Sequence, residues 1–142
     1  MNDSSLSHRD AACRHVLAFF SALDQRRHDE VAALMAADGV WHRQGQALVG
    51  PQAVAAALAE RDPARETAHI VTNLQAEPAQ EGRVRVQFYL LAYESRTAPG
   101  ADATPRLVSI RSCTDEWIET PAGWRLAQKT SRRHLPPEPA TH

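Results

Sequence analysis

Two side chains, Asp24 and His69, are of the types that hold and move protons in proteins. Asp24 is predicted to lie in the last turn of an N-terminal helix, where a carboxylate opposes the helix dipole at a cost of about 0.3–1 kcal/mol. Either surface pairing with Arg26 or Arg27, or an inward turn toward a histidine, would compensate for that cost. His69 is predicted to lie in a strand, on the same face as Asn73. A neutral imidazole suits proton abstraction near neutral pH, so a histidine held by a carboxylate would be a general base.

The other reactive residues show no spacing typical of a metal or nucleotide site. The seven histidines lack metal-ligand spacing. Cys13 and Cys113 are far apart in the chain, which favours free thiols in a reducing compartment over a disulfide scaffold. There is no glycine-rich phosphate loop and no dinucleotide fingerprint. We therefore expect no metal and no cofactor.

Composition bounds the class of protein. A chain of 142 residues with 43% hydrophobic and 23% charged residues is typical of one globular domain. The formal net charge of −1 gives no global field that would attract nucleic acid or an anionic membrane. The sequence has no long apolar run and its N-terminus is polar, so we expect a cytoplasmic protein. Among its cations are fifteen arginines but only one lysine, Lys129.

Apolar periodicity predicts three helices in the first half of the chain. Residues 1–8 are expected to be frayed, and a capping box at Ser7 opens a helix that runs to about Gln25. Glu30–Ala37 and the alanine-rich Gln52–Glu60 follow, with a short strand Val40–Gln44 between them.

The second half of the chain is rich in β-branched and aromatic residues. Four strands are predicted, at Ala68–Glu77, Arg83–Glu94, Arg106–Glu119 and Gly123–His134. Their connections are too short for crossover helices, so the strands should be antiparallel. Residues 9–135 then form one α+β domain, in which helices cover one face of a curved sheet and leave a cavity. The proline-rich residues 136–142 are expected to be a disordered tail.

Several segments carry a family resemblance. They are LAFFSALD, ADGVWHRQGQALVGPQAV, ETAHIVTNLQ and TDEWIETPAGWRL. Over residues 10–133 the chain resembles the SnoaL-like branch of the nuclear transport factor 2-like superfamily. The resemblance implies a cone-shaped α+β barrel with three N-terminal helices on a strongly curved, mainly antiparallel sheet. Within this superfamily the chain resembles the hexachlorocyclohexane dehydrochlorinases and, more distantly, the scytalone dehydratases.

The same resemblance implies roles for individual residues. Asp24 and His69 match an aspartate that orients a histidine base, and Trp41 matches a pocket tryptophan. Lys129 stands where the dehydrochlorinases have an arginine that faces the leaving group. Phe19 stands where they have a lysine, which makes this part of the pocket more apolar. Further pocket residues would be Phe20, Asn73, Phe88, Leu90 and Cys113, although such residues are also common in plain cores.

These observations lead to a ranked set of functions. The first is a cofactor-independent lyase or isomerase, with Asp24, His69 and Lys129 acting on a hydrophobic cyclic small molecule. The alternatives are a non-catalytic ligand-binding or oxygenase-small-subunit-like domain, and a polyketide cyclase or epoxide hydrolase using Asn73 with Asp24. The segment VRVQFYLLAY is apolar on both faces. One face would serve the cavity and the other a second copy of the chain, in a homodimer or homotrimer.

Overall fold

The protein consists of helices packed on one six-stranded sheet. The computed structural model describes residues 3–139. Its elements are α1 (Asp3–Asp24), α2 (His28–Ala33), β1 (Met35–Arg43), β2 (Gln46–Val49), α3 (Gly50–Ala59), β3 (Arg65–Gln80), β4 (Arg83–Arg96), β5 (Arg106–Thr120) and β6 (Gly123–Leu135). The sheet order is β2-β1-β6-β5-β4-β3, so β2 and β3 form open edges. The predicted α+β class, with helices on a curved and mainly antiparallel sheet, is confirmed.

One strand pair is parallel, although every other neighbouring pair is antiparallel. Strand β1 runs parallel to β6, with Trp41 opposite Lys129. The register shifts between Met35 and Val40, and Gly39 lies at this irregularity. A Cβ atom on Gly39 would lie 2.2 Å from the Leu126 carbonyl oxygen. Glycine is therefore needed here for the close approach of the two strands.

The start of β1 corrects the predicted second helix. The helix ends at Ala33 instead of Ala37, and Met35 begins a strand. The Leu126 amide donates to the Leu34 carbonyl at 2.7 Å, and Met35 pairs with Leu126. Pairing with β6 and burial of Met35 thus override the local helical pattern.

The two chain ends also differ from the expectation. Helix α1 begins at Asp3, so the described part of the segment expected to be frayed is helical, and residues 1 and 2 lie outside the described residues. At the other end, Glu138 accepts a hydrogen bond from the Arg133 backbone amide, and Arg133 Nε donates to the Pro136 carbonyl at 2.6 Å. This part of the expected disordered tail folds back on β6, and residues 140–142 lie outside the described residues.

The core lies between α1 and the inner face of the sheet. Its fully buried side chains include Val16, Phe19, Val86, Trp117 and Leu126. Burial of such side chains against one another is the main source of stability for a fold of this kind.

The outer face of the sheet carries an apolar row. Four residues are cross-strand neighbours over β3, β4, β5 and β6, namely Ile70, Leu91, Ile110 and Leu135. Ile70 and Leu135 are 49% and 50% exposed, so the row is open to solvent in the single chain. We call these four residues the outer-face row. None of the helices within residues 3–139 combines the length and hydropathy needed to cross a bilayer.

Candidate functional site

A cavity of about 500 Å³ opens between α1, β1 and the inner face of the sheet. Six predicted site residues line it, namely Phe20, Trp41, His69, Leu90, Cys113 and Lys129. A wider depression of about 760 Å³, bordered by Ser112, Arg132 and His134, holds none of the predicted catalytic residues. The cavity beneath α1 and β1 is therefore the candidate functional site.

Asp24 lies against His69 from behind the cavity wall. Its Oδ1 atom is 2.6 Å from His69 Nδ1, and its Oδ2 atom accepts the His69 backbone N–H at 2.8 Å. The Thr67 hydroxyl donates to Oδ1 at 2.9 Å. The carboxylate at the end of α1 is thus compensated by donors from β3, while Arg27 pairs with Glu30.

The electrostatics of this pair favour an ionised carboxylate. Burial raises the pKa of Asp24, but the hydrogen bonds and charge of His69, together with the Thr67 hydroxyl, outweigh it. The net result is a pKa below the ordinary value. An ionised Asp24 accepts a proton-bearing Nδ1, which fixes the histidine tautomer. Nε2 is then the ring nitrogen of His69 that remains for a ligand.

Lys129 is a cavity residue whose charge is already paired. Its Nζ atom lies 2.9 Å from both carboxylate oxygens of Asp115, and the two side chains are 5% and 0% exposed. Nζ also lies 4.4 Å from the ring centre of Phe19 and 4.6 Å from that of Phe20. Two ammonium N–H groups are used by Asp115, which leaves the third for a ligand.

Asp115 is a site residue that sequence reasoning missed. It lies directly opposite Lys129 in the register of β5 and β6. Burial raises the pKa of Asp115, and the Lys129 ammonium and the Trp117 indole N–H oppose that rise. The signal in the sequence was the alternation of Asp115 with the buried Cys113 and Trp117, which places all three on the inner face.

Two predicted pocket residues do not line the cavity. Phe88 is 3% exposed and packs beneath it, with its ring centre 6.0 Å from that of Phe20. Asn73 borders a separate cleft of about 250 Å³. Asn73 has φ 58° and lies where the β3–β4 register shifts between Thr72 and Gln75. This irregularity breaks the period-two alternation, so the expectation that Asn73 shares the face of His69 is wrong.

Cys113 lines the cavity as an apolar group. Burial raises the pKa of its thiol to about 11, with a smaller opposing effect of Lys129. The thiol is therefore protonated near neutral pH, and a nucleophilic role is disfavoured.

Four arginines also line the cavity, and none of them was predicted. They are Arg43, Arg61, Arg65 and Arg111. Three were detectable by strand alternation, because Arg43 is two residues from Trp41, Arg111 is two from Cys113 and Arg65 is four from His69. The cavity thus joins an apolar interior to a cationic wall.

The sequence profile of the SnoaL-like domain matches residues 4–130. The chain belongs to this SnoaL-like family. No curated protein sequence matches it.

Several solved structures share the fold of this chain. A protein from Novosphingobium aromaticivorans named for scytalone dehydratase has a TM-score of 0.78 and 18% identity, covering 94% of this chain and 88% of its own. A type 2 hexachlorocyclohexane dehydrochlorinase has a TM-score of 0.77 and 19% identity, covering 91% and 86%. A second N. aromaticivorans protein, named for an aromatic ring hydroxylase, has a TM-score of 0.75 and 17% identity, covering 91% and 90%. At these identities the likeness establishes the fold alone, because one scaffold can host several chemistries.

Proposed function

We propose that this SnoaL-like chain is a cofactor-independent lyase or isomerase that removes a proton from a hydrophobic cyclic small molecule. The observation that carries the proposal is the 2.6 Å contact between Asp24 and His69 at the wall of a cavity with an apolar interior. Relatives named for a dehydratase and a dehydrochlorinase, on the same fold, support the general kind of reaction.

In the proposed reaction His69 is the general base. Nε2 takes a proton from a carbon of the ligand, and the electron pair of the broken C–H bond forms a double bond. In a lyase, the leaving group departs from the adjacent carbon with its own bonding pair. In an isomerase, an enolate forms and is reprotonated at another carbon. Asp24 stabilises the imidazolium, and a positioned base of this type increases rates by about 10²–10⁴-fold.

Lys129 has a supporting role in this proposal. Its third N–H group can donate to the oxygen or halogen on which negative charge develops. Because Asp115 already compensates its charge, Lys129 acts here as a hydrogen-bond donor more than as an uncompensated cation.

The competing functions predict different behaviour. A polyketide cyclase or epoxide hydrolase using Asn73 with Asp24 loses its only residue-based support, because Asn73 borders a different cleft. A non-catalytic binding domain would hold cyclic ligands without exchanging their protons. Cytoplasmic location stays a prediction.

Proton abstraction can be tested before the natural substrate is known. We expect the wild-type protein to accelerate the exchange of α-hydrogen for deuterium in 1-indanone or 2-tetralone in D2O, followed by NMR. His69→Ala should lower that acceleration by about 10²–10⁴-fold, since the base is removed. His134→Ala is the matched control, because His134 borders the separate depression of about 760 Å³ and does not line the candidate site. Binding of these ketones without accelerated exchange, or equal exchange by His69→Ala, would refute the proposal.

A further inference from the structure

The cavity wall has a strong excess of positive charge. Among the described residues that line it, five are cationic and none is acidic. A cavity that takes only neutral apolar molecules has no need for this arrangement, because burying cations without compensation costs free energy. Some of the five charges have a carboxylate nearby and others do not.

Three of the cations have a partner or a nearby carboxylate. Lys129 is paired with Asp115. Arg65 lies 2.7 Å from Glu94, which also pairs with Arg106. Arg111 donates to the Ser131 hydroxyl at 2.8 Å, and Glu138 is 3.9 Å away.

Arg43 and Arg61 differ from these three. Within residues 3–139 neither guanidinium has a carboxylate at salt-bridge distance, although Asp24, which accepts from the Thr67 hydroxyl at 2.9 Å, lies near Arg61. Arg61 is held by neutral acceptors, the Leu23 carbonyl at 3.0 Å and the Thr67 hydroxyl at 3.1 Å. Arg43 lies over the Trp41 ring, 5.6 Å from its centre. Both side chains are therefore positioned without a salt bridge. The charge of Arg61 is offset only in part by the nearby Asp24 carboxylate, and burial and Arg65 act on Arg43 with no carboxylate among the described residues to oppose them.

Both guanidinium groups also lie among other positive charges. Burial lowers the pKa of Arg61, the charges of Arg65, Arg26 and Arg43 lower it further, and the Asp24 carboxylate opposes this with a smaller effect. Burial, followed by repulsion from Arg65, likewise lowers the pKa of Arg43. A bound anion would relieve both effects, because it would supply the missing opposite charge.

We propose that Arg43 and Arg61 form an anion subsite that binds a carboxylate on the ligand, while the ligand's ring enters the apolar part of the cavity beside Phe20, Trp41 and Leu90. The inference rests on the proposed function only in assuming that this cavity takes a small molecule. A planar carboxylate matches the paired N–H groups of a guanidinium. The ligand class is then a cyclic or aromatic carboxylic acid, whose charged end would be fixed while the ring is presented to His69.

A matched pair of ligands tests the subsite without any turnover. 2-Naphthoate and 2-naphthamide share the ring and nearly the same shape but differ by one negative charge. By isothermal titration calorimetry we expect 2-naphthoate to bind the wild-type protein about 10–100-fold more tightly, the range of a charge-assisted hydrogen bond. Added NaCl should reduce this preference.

Variants then locate the charge that recognises the anion. Arg43→Gln should remove most of the preference for 2-naphthoate and leave the binding of 2-naphthamide nearly unchanged. Arg61→Gln should have the same effect on the preference for 2-naphthoate. Because Arg61 also donates to the Leu23 carbonyl at the end of α1, the effect of Arg61→Gln is read together with that of Arg43→Gln, which leaves this contact in place. Arg14→Gln is the matched control, because Arg14 is 73% exposed on α1 and pairs with Asp10.

Each outcome bears on the subsite separately from the catalytic proposal. Equal binding of the two ligands, a preference that survives both cavity variants, or no binding of either ligand would overturn the anion subsite. Preferential binding of 2-naphthoate by a protein that exchanges no ketone protons would refute the proposed catalysis and leave the subsite standing.

Discussion

The Lys129–Asp115 pair provides a stability test of the site. Among residues 3–139 Lys129 is the only cation that contacts Asp115, and Lys129→Met leaves that carboxylate without it in a position that is 0% exposed. Breaking a buried pair from one side costs about 3–5 kcal/mol, because the remaining charge is uncompensated. At the entropy of unfolding typical of a chain of this length, that corresponds to a fall in Tm of about 10–17 °C.

The double variant separates charge from packing. Asp115→Leu combined with Lys129→Met removes both charges, and we expect its stability to return to the wild-type value or above it, by up to about 1–4 kcal/mol. Glu116→Gln is the control, because Glu116 is the next residue of β5 and pairs with Arg83 at 2.8 Å on the more exposed side of the sheet. Its cost should be about 1 kcal/mol or less.

Equilibrium urea unfolding at pH 7 and at pH 5 measures all of these differences. The cost of Lys129→Met should be smaller at pH 5, because burial raises the pKa of Asp115 and a protonated carboxyl needs no cation. If Lys129→Met costs no more than Glu116→Gln, the pair is hydrated and the description of the site is incorrect. If the double variant is as unstable as Lys129→Met, the lost contacts of the ammonium with the phenyl rings cause the effect, not the unpaired charge.

Two further predictions concern acid stability and assembly. The folded-state pKa of Asp24 is lowered, so its ionised form stabilises the fold at neutral pH, and this contribution is lost as pH falls through that lowered value. Asp24→Asn should therefore cost about 1–3 kcal/mol in urea unfolding at pH 7 and progressively less below about pH 4, whereas a constant difference would contradict the linkage. The outer-face row should mediate a homodimer or homotrimer at micromolar concentration in sedimentation velocity, which Leu91→Lys should dissociate; a monomeric wild-type profile would rule this out.

The sequence carried enough information for the fold class and for the contact between Asp24 and His69. Three helical patterns followed by long β-branched segments indicate an α+β arrangement. Asp24 was notable because a carboxylate at a helix C-terminus needs compensation, and pairing with Arg26 or Arg27 would also have supplied it. The choice of His69 as its partner was implied by the family resemblance, and the contact is present in the structure.

Other features depend on contacts between distant segments and could not be read locally. Met35–Ala37 has a helical pattern but becomes strand through pairing with β6. The orientation of Asn73 depends on a register shift in β3 between Thr72 and Gln75, which the residue types there do not predict. The pairing of Asp115 with Lys129 depends on the register of β5 and β6, which places the two residues opposite each other. The alternation of residues along a strand could place three of the arginines on the inner face. It could not show which of the arginines have a carboxylate at salt-bridge distance.

The parallel pairing of β1 with β6 has a consequence for the order of folding. Strands β3 to β6 are joined by short connections and can assemble as successive hairpins. Strand β1 precedes them in the chain, but it pairs with the last strand, β6, where Trp41 lies opposite Lys129. Closing that long loop has the larger entropic cost, so β1 is expected to dock late. A chain still emerging from the ribosome can therefore hold Asp24 against His69 before it has a cavity in which a ligand could be enclosed.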